Sequence, residues 1–135
     1  MTSEPRSDRE LWEGLLGEDV YGPFLVGARC ASCHTLALGA RDLCPACWSR
    51  NTMVPSPVGR TGRVYTCTIV HQSADGFETP MTVGYVDIEE GLRVFAHLES
   101  AEATSLIGAD VALSTARLRR AADGSWLIGP RYRAL

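Results

Sequence analysis

Four of the five cysteines in this 135-residue chain fall within one short stretch, CASCHTLALGARDLCPACW (30–48). Cys30, Cys33, Cys44 and Cys47 make two C-x-x-C pairs separated by ten residues. The left end alone reads C-x-x-C-H, the attachment signature of a c-type haem, whereas the whole reads as a four-thiolate metal site. Four thiolates complete the tetrahedral shell of one ion and leave no position open, which is the pattern of structural zinc. The same four sulfurs also suit a single iron in an electron carrier. Haem leaves Cys44 and Cys47 unused and requires an exported protein. Structural zinc is therefore favoured, with iron as the alternative.

No other constellation matches these pairs. Cys67 precedes His71 by four residues in a strand-like segment. On one straight strand the two share a face but sit about 13 Å apart, too far for a thiolate–imidazole pair. His97 lies on a later segment that could neighbour Cys67, yet a cysteine packed in or beside a β core is the simpler expectation. Glu89 and Glu90 sit with Gly91 in a tight turn, where charge is ordinarily solvated, and Asp87 ends a strand. GRTG (59–62) lacks the lysine and helix of a phosphate-binding loop. The chain is accordingly read as having no active site of its own.

The elements that must hold the cysteines follow from periodicity. SDRELWEGLL (7–16) predicts a short helix: Ser7 and Glu10 form an S-x-x-E capping box, and Leu11, Trp12, Leu15 and Leu16 share one face. YGPFLVGARC then reads as a strand entering the first knuckle, and NTMVPSPVG (51–59) as a linker. Beyond it five strands are predicted, at 61–72, 81–88, 92–98, 110–118 and 126–133, with a short helix or loop over 100–109. In the third strand Leu92, Val94, Ala96 and Leu98 alternate with Arg93, Phe95 and His97, which makes one face core. Five short strands with an insertion after the third match the order of an OB-fold barrel, and Gly62, Gly84 and Gly129 stand where such strands bend. The fold class predicted is thus mainly β: an N-terminal helical segment (1–24), a rubredoxin-like zinc ribbon (25–53) and a five-stranded OB-fold barrel (58–135).

Composition bounds the function. The 45% apolar content suits a globular chain. Thirteen basic residues, all Arg, stand against 16 acidic ones for a net charge of −3, which argues against general nucleic-acid binding. The first 20 residues are charged throughout, unlike a secretion signal, and no run approaches the roughly 20 apolar residues of a membrane span. A cytoplasmic protein is expected, where paired cysteines usually mean metal or redox work.

The knuckles, followed by GRTGRVYTCTIV, TPMTVGYVDIEEGLRVFAHL and LIGADVAL, resemble a specific family. Its members are small zinc-ribbon plus OB-fold proteins found beside thiolases and other acyl-CoA enzymes. The resemblance spans nearly the whole chain. It implies a non-catalytic accessory subunit that pairs with a thiolase-fold protein carrying the catalytic residues, often as a two-plus-two heterotetramer. It further implies that the partner performs thiolysis, retro-aldol cleavage or acyl transfer on an acyl-CoA substrate. One departure concerns the residue after each C-x-x-C, commonly Gly because a positive φ is easiest there; here it is His34 and Trp48. Arg117 and Arg119, with Arg131 and Arg133 on the next strand, would form one patch for CoA phosphates or an acidic partner surface if their strands pair through Asp123-Gly124. A solvated barrel exterior is the plainer reading of those four. A single-stranded nucleic-acid module, using Tyr65, Phe77, Tyr85, Phe95, Trp126 and Tyr132, is the alternative function beside an iron electron carrier.

Overall fold

The computed structural model of the chain describes residues 8–99 and 106–135. Ten strands organise them: β1 (Arg9–Glu10), β2 (Leu16–Asp19), β3 (Gly22–Cys30), β4 (Leu36–Leu38), β5 (Met53–Val58), β6 (Thr61–Val70), β7 (Met81–Ile88), β8 (Arg93–Glu99), β9 (Asp110–Arg120) and β10 (Trp126–Ala134). Strands β6 to β10 close on themselves in the order β6-β7-β8-β10-β9, with β9 returning to β6 through Thr61↔Ala112. The β8–β10 contact is parallel and the others in the ring are antiparallel. This is the five-stranded barrel expected of an OB-fold. Its alternation is the one written in the sequence, with Val94, Ala96 and Leu98 buried and Arg93 and Phe95 exposed.

The smaller sheet carries the cysteine knuckles. Its centre is β3, which pairs antiparallel with β2, β4 and β5. The predicted linker is therefore a strand: Met53 to Val58 pair with Cys30 to Leu25. Pro55 and Pro57 lack N–H donors, so their pattern resembles a linker, but proline is compatible with a strand at a sheet edge. One buried cluster unites the two sheets, for Leu25 and Val58 lie in it with Val64, Val86, Val111 and Tyr132.

The expected N-terminal helix is not formed. Ser7 lies outside the described residues, and residues 8–16 contain no helix, nor does any other described residue. Arg9 and Glu10 instead pair in parallel with Leu127 and Ile128 of β10, and the Leu11 N–H donates to the Ile128 carbonyl at 2.7 Å. Gly14 turns the chain with φ +79°, and the Glu10 carboxylate accepts from its N–H instead of capping a helix. A ten-residue helix is marginal alone because nucleation is costly; the open edge of β10 satisfies the same backbone donors. The apolar stripe is still used, since Leu15 and Leu16 pack against the core. Residues 100–105 lie outside the described set, and the remainder of that predicted helix or loop forms a turn at Ile107 and Gly108.

Candidate metal centre and its surroundings

The two knuckles are built by the same local rule. His34 N–H donates to the Cys30 carbonyl at 2.9 Å, and Trp48 N–H to the Cys44 carbonyl at 3.0 Å. Cys30 N–H reaches the Thr35 carbonyl and Cys44 N–H the Ser49 carbonyl in the same way. The turns require a left-handed residue after the second cysteine of each pair, and His34 (φ 66°) and Trp48 (φ 64°) take that conformation although neither is Gly. For a residue with a Cβ this costs roughly 1–2 kcal/mol each, so the knuckles keep their geometry at a loss in stability.

The result brings the four Sγ atoms within 4.8 Å of one another. Cys30 and Cys47 sulfurs are 3.7 Å apart, Cys33 and Cys44 3.5 Å. Ligands at 2.3 Å from a tetrahedral ion stand about 3.8 Å from each other, so the cluster fits a four-coordinate metal. Cys30 and Cys44 are fully buried, while Cys33 and Cys47 face solvent. Backbone N–H groups of Cys33 and Cys47 approach the Cys30 and Cys44 sulfurs at 3.4 and 3.5 Å.

Three hydroxyls complete the sulfur environment. Thr52 Oγ1 lies 3.3 Å from Cys30, Thr35 Oγ1 3.2 Å from Cys33 and Ser49 Oγ 3.1 Å from Cys47. Thr52, followed by the Cys33 N–H, lowers the Cys30 thiol to about 6. Thr35 similarly lowers Cys33. At Cys44 the Cys47 N–H pulls downward, but burial and the neighbouring thiols outweigh it and the net shift is up. Sequence reasoning missed these hydroxyls. Their signal was the repetition C-x-x-C-x-[ST], which places Thr35 and Ser49 at equivalent positions of the two knuckles.

The other candidates are dispersed. Cys67 pairs across the sheet with Gly84, which pairs with Ala96; Thr68, Val83 and His97 make the adjacent row. Neighbouring rows point to opposite faces, so Cys67 packs against the barrel core while His97 lies on the outer side. There His97 is covered, stacked on Phe77 at 5.9 Å and tilted against Trp12 at 6.4 Å. Of the four arginines, Arg117 and Arg131 line one cavity of about 390 Å³ with His97, Glu78 and Glu99. Arg117 is paired with Asp8 and Arg131 with Glu99. Arg119 lies over the Phe77 ring and donates to the Asp75 carbonyl, and Arg133 is exposed near the end of β10. The two turn glutamates have structural partners: Glu90 accepts from Gly59 N–H at 2.9 Å and Glu89 from the Thr61 hydroxyl at 2.9 Å.

A four-cysteine ribbon joined to an OB barrel defines the class of protein; comparison with known chains gives the family. Residues 56–116 match the family described as ChsH2, C-terminal OB-fold domain. The chain is 33% identical over 117 residues to the benzoylsuccinyl-CoA thiolase subunit BbsA of Thauera aromatica, covering 87% of this chain and 81% of that one. It is 32% identical over 72 residues to a DUF35 domain-containing scaffold protein of Methanocaldococcus jannaschii, covering 52% of this chain and 51% of that one. Among solved structures, the Ltp2-ChsH2(DUF35) aldolase aligns with a TM-score of 0.65 and 29% identity over 82% of this chain and 84% of that chain. The chain belongs to this DUF35 family of ChsH2-type OB-fold proteins. Among the described residues, no helix is long and apolar enough to cross a membrane.

Proposed function

We propose that the chain is a non-catalytic accessory subunit of a thiolase-fold enzyme that acts on acyl-CoA substrates. The observation that carries this reading is its relation, along most of both chains, to a subunit of benzoylsuccinyl-CoA thiolase. The chemistry of the cysteine cluster agrees: four thiolates on Cys30, Cys33, Cys44 and Cys47 saturate an ion and leave no position for substrate. Zinc is the ion assigned, and its role is to fold a ribbon too small to hold itself together. The partner supplies thiolysis, retro-aldol cleavage or acyl transfer. Assembly is two-plus-two, and the compartment is the cytoplasm, where the thiols stay reduced. Arg117, Arg119, Arg131 and Arg133 are the arginines proposed for CoA phosphates or an acidic partner surface; Arg117 and Arg131 share a cavity, where each is also paired with a carboxylate.

The test is purification from the native host, with mass spectrometric identification of the bound protein and elemental analysis. One zinc per chain, a thiolase-fold partner and acyl-CoA turnover only in the complex are expected. Turnover of acyl-CoA by the isolated chain, or a red, iron-containing sample, defeats the reading.

A further inference from the structure

The outer face of strands β6, β7 and β8 presents three large aromatic side chains to solvent: Tyr65 (53% exposed), Tyr85 (45%) and Phe95 (58%). A β-bulge helps set this face. Between Val64↔Val86 and Thr66↔Tyr85 the register slips by one residue. The extra residue lets Val64 and Cys67 both point inward while Tyr65 and Thr66 stand together opposite Tyr85. Tyr85 meets Phe95 edge-on, with ring centroids 5.6 Å apart at 70°. The Arg93 guanidinium lies 3.4 Å over Tyr65 and is held by Asp87 at 2.6 Å. Phe95 then leads, beside Trp12, into an apolar cleft of about 490 Å³ lined by Leu15, Leu25, Leu38 and Pro130.

Single exposed aromatics are ordinary on a soluble surface, but a contiguous ridge that runs into an apolar cleft marks a contact site. Tyr, Trp and Arg are also the residue types that dominate interface energetics. Charge decides what kind of partner fits. Phosphate backbones are bound by cations that displace counterions; here Arg93 is already paired with Asp87 and Arg63 with Asp110. The face is apolar and locally neutral, which suits protein side chains. The relatives bear names of subunits or of partners of a different protein, which favours a different chain over a second copy.

We propose that the thiolase-fold subunit docks on this face, from Tyr65 through Tyr85 and Phe95, with an apolar segment of that subunit seated in the cleft beside Trp12. The proposal rests on the accessory-subunit reading. It is tested on the complex of the full chain with the thiolase-fold protein that co-purifies with it. Hydrogen exchange of the complex against the isolated chain should slow in β7 and β8. Tyr85→Ser and Phe95→Ser should each weaken association by roughly 30-fold or more. Val20→Ser, at a 93% exposed position in the β2–β3 turn, should leave it unchanged. Circular dichroism and metal content identify a variant that has failed to fold, and the wild-type exchange pattern then decides alone. A complex whose β7 and β8 exchange as in the isolated chain, or folded variants that bind as tightly as wild type, overturns the docking face while sparing the accessory role. Protection of the same face by an oligo-dT strand, or by self-association of the isolated chain, also overturns it. Failure of any thiolase-fold protein to bind the wild type overturns the accessory reading and the docking face with it.

Discussion

Replacing Tyr132 by Phe should destabilise the protein by about 1–3 kcal/mol, the cost of leaving a buried acceptor without its donor. Tyr132 on β10 is fully buried, and its hydroxyl donates to the Gly59 carbonyl at 2.6 Å. Gly59 is where the ribbon sheet becomes the barrel, between β5 and β6, and it takes φ +75°. Its N–H is satisfied by Glu90 and its carbonyl by Tyr132, so two distant elements fix one joint. Phenylalanine keeps the ring and its packing, so the cavity term is small and the lost hydrogen bond dominates. For a chain of this length the loss corresponds to a Tm lower by roughly 3–10 °C. The measurement is urea unfolding of wild type and Tyr132→Phe with metal content matched and m unchanged. Burial, followed by the Glu90 charge, raises the phenol's pKa. The unfolded tyrosine ionises near pH 10 while the native one resists ionisation, so the wild-type advantage should be flat below that pH and shrink above it. A Tyr132→Phe protein within about 0.3 kcal/mol of wild type would refute the idea that this hydroxyl secures the joint.

Two other perturbations have defined outcomes. Trp48→Gly should stabilise the second knuckle by about 0.5–1 kcal/mol, because relief of the φ 64° strain exceeds the entropy glycine adds to the unfolded chain; Trp48 is 72% exposed and loses little packing, and thermal unfolding of the metal-bound protein reads the gain. His97 has its pKa lowered by burial first and by the Arg131 charge second, with Glu99 and Glu78 facing the same cavity. Below about pH 6.5 the unfolded state takes up a proton that native His97 resists, so stability should fall with decreasing pH at no more than about 1.4 kcal/mol per pH unit. The slope difference between wild type and His97→Gln from pH 7.5 to 5 isolates this group from acid release of metal; parallel slopes would contradict it.

The knuckles were legible because their information is local: two matching short patterns contain the thiolates and the turn, whereas the flanking hydroxyls of Thr35 and Ser49, in the same windows, were missed. The barrel strands were legible for a related reason, since alternation such as Val94, Ala96 and Leu98 against Arg93 and Phe95 records which side faces a core. The segment 8–16 misled because its apolar spacing fits a helical stripe as well as it fits the contacts Leu15 and Leu16 make, and only the open edge of β10 decides between them. Pro55 and Pro57 made β5 resemble a linker until β3 was available as its partner. The pairing of the cysteines into two knuckles was therefore set by covalent spacing, within a few residues of each cysteine. The tertiary structure alone decided the separation of Cys67 from His97, the placement of Tyr65 beside Tyr85 by a bulge, and the closure of the Gly59 joint by Tyr132 from 73 residues away. Those outcomes depend on strand register and on buried donors meeting acceptors from remote segments, quantities that no local window of sequence contains.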